Sequence, residues 1–180
     1  SRECLGHLAR RQAAAVRDAA RAQGLGLGGE ARTDAVLGPH TSFKTGGPAA
    51  LLVRASAIDD LVAWLRLATE HGLPARVLGR GSNVLVDDAG FPGLVVLNRC
   101  ERWELREESA GHAAVLEAES GVSLPALVHV LARKGWSGLE AAAAVIIAAD
   151  SAMSASVAAT VAVPGTKAKY RGWSGGIAVG

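Results

Sequence analysis

The sequence predicts an α+β fold, and three observations carry that expectation. Short apolar runs at 50–54, 76–78 and 94–97 have the length and the Leu/Val content of buried strands. Between the first two lies a segment with Ile58, Leu61, Val62, Leu65 and Ala68 at helical spacing. Two further strand-like runs, 103–106 and 113–118, meet around Gly111 and lead into a second helical stretch.

Taken in order, residues 2–23 are rich in Ala and Arg, with Leu5, Leu8, Ala15 and Ala19 as the apolar positions, and predict a weakly amphipathic, peripheral helix. Four glycines between 24 and 29 break it, so residues 1–34 are expected to be a helix and linker preceding the main domain. After the strand at 50–54, Ser56 is placed to cap the next helix and Gly72 to stop it. Strands are then expected at 76–78, 84–86 and 94–97, separated by Gly-rich turns. Beyond the paired runs, Ser123 is expected to cap a helix that turns Leu124, Leu127, Val128 and Leu131 inward, and Gly135 to end it. These elements define a domain at 35–140. The remainder, 141–180, changes character: residues 141–163 carry one charge, Asp150, among Ala, Val, Ile and Ser. A membrane span would need about 20 largely apolar residues, and the interrupting Asp150, Ser151, Ser154, Ser156 and Thr160 favour a buried small-residue helix or an irregular interior segment. No internal repeat is visible.

Composition narrows the function classes. A net charge of +2 across 180 residues gives no general electrostatic reason for a nucleic-acid or anionic-membrane partner. Cys4 and Cys100 are far apart and lack ligand-like neighbours, which argues against a disulfide framework or a metal site. The first twenty residues hold no apolar run of the length a secretory signal needs, so a reducing cytosol is the expected compartment.

Two polar, Gly-rich clusters could carry chemistry. In Val77-Leu78-Gly79-Arg80-Gly81-Ser82-Asn83-Val84-Leu85 a strand runs into two glycines, Ser and Asn, then into another apolar run. Such a loop can wrap an anion, with backbone N–H groups forming a nest and Ser82 and Asn83 adding donors. A tight β-turn fits the same residues, and the spacing matches neither the Rossmann nor the Walker pattern. The second cluster is His40-Thr41-Ser42-Phe43-Lys44-Thr45-Gly46-Gly47-Pro48-Ala49, directly before the first strand. It can approach a flat ring or a phosphate, or simply be a strand entry directed by Pro48.

These two clusters, with Gly-Leu-Val-Val-Leu at 93–97 and Gly135-Trp136-Ser137-Gly138-Leu139-Glu140, occur in an order that resembles the UDP-N-acetylenolpyruvoylglucosamine reductase (MurB-type UDP-N-acetylmuramate dehydrogenase) family over about residues 37 to 140. The resemblance implies an FAD-binding domain of the vanillyl-alcohol-oxidase (PCMH) type, with two small sheet-containing lobes and flanking helices. It implies that Gly79, Gly81, Ser82 and Asn83 hold the FAD pyrophosphate, with Arg80, Val84 and Leu85 also in the cofactor-binding set and Thr45, Gly46 and Gly47 shaping the same pocket. Gly138, Leu139 and Glu140 would lead into the wall near the flavin. The implied activity is a cytoplasmic flavoprotein oxidoreductase of peptidoglycan synthesis, serving cell wall biogenesis and cell shape. It takes NADPH as hydride donor and reduces a UDP-sugar, the enolpyruvyl ether of UDP-N-acetylglucosamine. The expected partners are that substrate alone, with no nucleic acid and no membrane, and the chain is expected to be a monomer.

The sequence departs from the family after Glu140, where Ala141-Ala142-Ala143-Ala144 replaces a Gly-Ile-Pro-Gly-Thr stretch. Val163-Pro164-Gly165-Thr166 is similar to that stretch but displaced, and Gly175-Gly176 follows. Tyr170-Arg171 resembles the pair carrying the family's catalytic arginine, which makes Arg171 the one catalytic candidate, although no Ser stands two positions beyond it. The family's proton-donating Ser or Cys and its second acid, a Glu, have no match in 1–180, so an incomplete or shortened form is expected. His71 and His129 read as helix-surface or helix-edge residues, His112 and Asp87-Asp88 as turn residues, and Trp64 and Trp136 as packing groups.

Overall fold

A computed structural model describes residues 2–25, 31–82, 84–107, 113–139, 156–162 and 170–171. The fold is α+β, and the chain divides into two compact units, residues 1–99 and 100–180.

The first unit is a four-stranded sheet with two helices. Its strands are β1 (Arg32–Val36), β2 (Pro48–Ala55), β3 (Ala75–Leu78) and β4 (Phe91–Asn98), in the order β1-β2-β4-β3. β4 is parallel to both β2 and β3, whereas β1 is antiparallel to β2. Strands covered on both faces read as continuous apolar runs, and from Ala49 to Val53 and Gly93 to Asn98 every residue is buried. One face gathers Leu37, Ala49, Leu52, Leu78, Val95 and Leu97. That cluster holds no helix residue, so α1 (Arg2–Ala22) and α2 (Ile58–Glu70), both packed on β2 and β4, cover the other face.

The helices differ from the expected pattern in register. The buried stripe of α1 is Ala9, Ala13, Val16 and Ala20, while Leu8 is half exposed. These small side chains bring the helix close to α2 and the sheet, so α1 belongs to the core of this unit and is not peripheral. Gln12 Nε2 donates to the carbonyls of His71 and Gly72 at 3.1 Å each, clamping the turn that ends α2. In α2 the buried residues are Leu61, Trp64, Leu67 and Ala68. Ser56 does not cap it: Ala57 holds the N-cap position without a side-chain bond, and Asp59 and Asp60 in the first turn favour the helix dipole instead.

The expected strand at 84–86 forms no ladder. β3 and β4 are parallel neighbours, so the chain leaving the carboxyl end of β3 must return to the start of β4 before it can pair, a path that needs about a dozen residues. Residues 79–90 make that return. Val84 and Val86 pack on the sheet-face cluster and Leu85 points out, an alternation that is real but arises from packing on a sheet rather than pairing within one. β1 was not foreseen because it is a mostly exposed edge strand without apolar alternation.

The second unit is an antiparallel sheet, β5 (Trp103–Glu107), β6 (Ala113–Glu119), β7 (Ser156–Ala162) and β8 (Tyr170–Arg171), in sequential order, with α3 (Leu124–Arg133) between β6 and β7 in sequence. Ala114 and Leu116 of β6 pack with Leu127, Leu131 and Leu139, with Leu105, Val128 and Trp136 at the margin. On the other face Glu104 lies opposite Glu117, and Arg106 bridges both at 3.3 and 3.2 Å. The hydrogen bond that Arg106 donates to Glu104, then the charges of Glu104 and Glu117, raise the Arg106 pKa above the usual arginine value. β7 corrects the expected helix or irregular segment over its span. Val157, Thr160 and Val161 are β-branched residues suited to a strand, and an Ala-rich composition hides that preference. Residues 141–155 and 163 lie outside the described residues. No helix among the described residues is long and apolar enough to cross a membrane.

Candidate flavin-binding site

The site is built where the parallel strands of the first unit end. Ligands of open parallel sheets gather at the carboxyl ends of strands, and Gly79 is the first residue after β3. The loop it opens is held against the segment between β1 and β2. Ser42 N–H donates to the Gly81 carbonyl at 2.9 Å, and Gly47 N–H donates to the Asp87 carbonyl at 2.9 Å. The two Gly-rich clusters recognised in the sequence are therefore neighbours in space.

The partner segment has its own internal scaffold. Leu37 begins a 3₁₀ turn at Gly38–His40, and Leu37 and Gly38 N–H groups donate to the carbonyls of Gly47 and Gly46. Thr41 is 2% exposed, and its hydroxyl lies 3.1 Å from both the Gly38 and Thr45 carbonyls. Lys44 adopts φ 56°, a left-handed conformation that L residues other than Asn and Asp rarely take. The hairpin of chain from 38 to 47 is thus fixed by its own bonds before any ligand is considered.

Gly81 has φ 67° and is buried. A Cβ there would strike the His40 carbonyl and approach the Thr41 Cα to 3.0 Å. The close approach that glycine permits at 81 is therefore to the neighbouring protein segment. Gly47 is similar, since a Cβ would run into the Asp88 carbonyl and the Gly90 amide.

Among the other expected site residues, Gly79, Ser82, Gly46 and Val84 are half-buried, Thr45 and Arg80 are exposed, and Leu85 is 75% exposed. Asn83 and Glu140 lie outside the described residues. Gly138, with φ 105°, and buried Leu139 belong to the second unit. Arg171 lies on β8, opposite Ala158 of β7. Pro164-Gly165-Thr166 and Gly175-Gly176 are outside the described residues, as is His112. Asp87 forms a turn, its Oδ1 accepting the Ala89 N–H at 2.7 Å, and Trp64 is a core residue at 1% exposure.

Sequence reasoning missed Arg99. Its Nη1 donates to the Gly79 and Asn98 carbonyls at 2.7 Å each. Only the pairing of β3 with β4, which motif spacing does not disclose, places it beside the loop.

Comparisons with known proteins give the family. The FAD binding domain family matches residues 48–162, more than half of the chain. The UDP-N-acetylenolpyruvoylglucosamine reductase of Trichormus variabilis is 39% identical over 111 residues, 62% of this chain and 33% of the relative. That of Moorella thermoacetica is 41% identical over 120 residues, 67% of this chain and 38% of the relative. The chain spans about a third of the length of these curated relatives. Among solved structures, a solvent-stable cholesterol oxidase aligns with 59% of this chain and 20% of its own at 17% identity and a TM-score of 0.44. The chain belongs to the FAD binding domain family, and its FAD-binding region is of the type found in UDP-N-acetylenolpyruvoylglucosamine reductases.

Proposed function

We propose that this chain is the FAD-binding part of a cytoplasmic, monomeric reductase that uses NADPH to convert UDP-N-acetylglucosamine enolpyruvate to UDP-N-acetylmuramate, a precursor of peptidoglycan. The observation that carries the reading is the pairing of the 38–47 segment with the 79–90 loop through Ser42 and Gly81, since the family resemblance rests on those same two motifs. The residues fit a diphosphate. The loop opens at the carboxyl end of parallel strands, Gly81 is left-handed, and the carbonyls of Gly79 and Gly81 are engaged by protein donors.

In this reading Gly79, Gly81, Ser82 and Asn83 take the pyrophosphate, Arg80, Val84 and Leu85 complete the cofactor-binding loop, Thr45, Gly46 and Gly47 shape its pocket, and Gly138, Leu139 and Glu140 of the second unit are assigned to the cofactor as well. Bound FAD supplies two-electron transfer between a nicotinamide and a carbon–carbon double bond. The chain's own share is to bind and orient: backbone amides direct themselves at anionic oxygens, and Arg171 is the candidate to stabilise charge developing on the substrate carboxylate. The rest of the catalytic set is assigned to the portion of the relatives that this chain does not span.

The purified chain, mixed with FAD and desalted, should keep the yellow absorbance of oxidised flavin. The full-length protein should oxidise NADPH only when UDP-N-acetylglucosamine enolpyruvate is supplied. A chain that retains no flavin sinks the reading at its base. Flavin uptake with NADPH oxidation driven instead by an alcohol or aldehyde would assign a different oxidoreductase, and uptake without turnover in the full-length protein would mark a binding module.

A further inference from the structure

We propose that Arg99 is a positioning residue for the pyrophosphate-binding loop: its guanidinium fixes the direction of the Gly79–Arg80 peptide and thereby sets the loop's affinity for a diphosphate-bearing cofactor. This rests on the flavin reading above. Arg99 directly follows β4, and in the parallel pair Leu78 lies opposite Leu97, so the chain leaves β3 at Gly79 alongside Asn98 and Arg99. Its backbone is tied down by Arg99 N–H donating to the Ala55 carbonyl at the end of β2, at 2.8 Å. Its half-buried side chain then reaches across, Nη1 donating to the Gly79 carbonyl and the Asn98 carbonyl at 2.7 Å each. Bonds from a charged donor are short and roughly twice as strong as neutral ones.

The consequence follows from the geometry of the peptide group. A trans peptide is planar, so its C=O and N–H point in opposite directions. Holding the Gly79 carbonyl on Arg99 turns the Arg80 N–H the other way. Ser42 does the same one peptide pair further on, since its N–H holds the Gly81 carbonyl and so directs the Ser82 N–H. Alternate amides of the loop are thus aimed by two donors from different parts of the unit, the end of β4 and the 38–47 segment. Anion nests are made of such amides, and directing them before the ligand arrives lowers the cost of binding it.

The test titrates the flavin-free 180-residue chain with FAD and measures hydrogen exchange across Arg80–Ser82 and α2. R99M, R99K and R66M are compared with the unaltered chain, R66M removing an exposed charge from α2 as control. R99M should weaken FAD binding about tenfold, R99K should recover most of that loss, and R66M should lose none. Exchange in R99M should quicken at 80–82 while α2 stays protected. R99M binding FAD within about twofold of the unaltered chain overturns the proposal while leaving the flavin reading intact. Equal loosening of α2 in R99M, or an R99K chain as weak as R99M, overturns it too. Should R99M fail to fold, R99Q replaces it: R99Q weak beside R99K supports the proposal, and equal affinities overturn it. An unaltered chain that takes no FAD overturns the flavin reading and this proposal together.

Discussion

The Ser42 N–H and the Gly81 carbonyl meet at 2.9 Å, joining two segments separated in sequence by the whole of β2, α2 and β3. Gly81 can accept that bond only because it is left-handed and lacks a Cβ, which would occupy the space of the His40 carbonyl. G81A should therefore lose at least about 2 kcal/mol of stability through backbone strain and forced separation of the loops. Thermal melting of the cofactor-free chain measures it. Since loop docking and ligand binding fail together at this position, an unchanged melting point would show that the loops are not held as described.

Thr41 tests the partner segment independently. Its hydroxyl is buried within reach of the Gly38 and Thr45 carbonyls, and valine keeps the shape while removing the donor. T41V should cost about 0.5–1.5 kcal/mol, the net worth of the lost hydrogen bond, since the Gly38 carbonyl keeps the Thr41 N–H as a donor, while T41S should recover most of it. Chemical denaturation of the three chains distinguishes a lost hydrogen bond, where serine rescues, from lost packing, where valine is tolerated.

Legibility followed the range over which each signal acts. α2, β2, β4 and α3 were readable because their apolar periodicity is local, and Gly72 and Gly135 ended their helices with φ 64° and 81° as a left-handed terminator does. The stripe of α1 is hidden in the sequence because Leu8 outranks Ala9, Ala13 and Ala20 in hydrophobicity, yet it is the smaller side chains that fit close to the sheet. Val84 to Val86 looked like a strand because sheet-face packing and sheet pairing produce the same alternation, and only the parallel β3–β4 pair tells them apart. The site's motifs could be recognised; that Gly81 and Gly47 face protein, and that Arg99 holds Gly79, depends on contacts distant in sequence.

Val16 and Trp64 provide a test of how α1 joins the first unit. Both are buried, 0% and 1% exposed, on helices that contact each other and the sheet. W64A should cost about 3–5 kcal/mol through cavity formation. If α1 is integral, V16D should unfold the unit as well, because an unpaired charge would be buried where the helix meets its neighbours. Near-native melting of V16D would mean that α1 detaches without consequence, and the helix would then be peripheral after all.

Leu85 separates binding from stability. At 75% exposure it contributes little to the folded chain, whereas Val84 and Val86 on either side pack on the sheet-face cluster. A lone exposed leucine is ordinary, but this one stands within the loop assigned to the cofactor. L85S should leave the melting point of the cofactor-free chain within the range of about 0.5 kcal/mol expected of a surface change. If the leucine is covered when FAD binds, the same variant should weaken FAD by about tenfold, the equivalent of burying part of one leucine side chain. V86S should do the reverse in order, lowering stability first, because Val86 also fills the space that a side chain at Gly46 would need. Paired melting and flavin titration of L85S and V86S therefore assign each residue to one role. An L85S chain with unaltered FAD affinity would remove Leu85 from the binding set and leave the 84–86 alternation as a feature of packing alone.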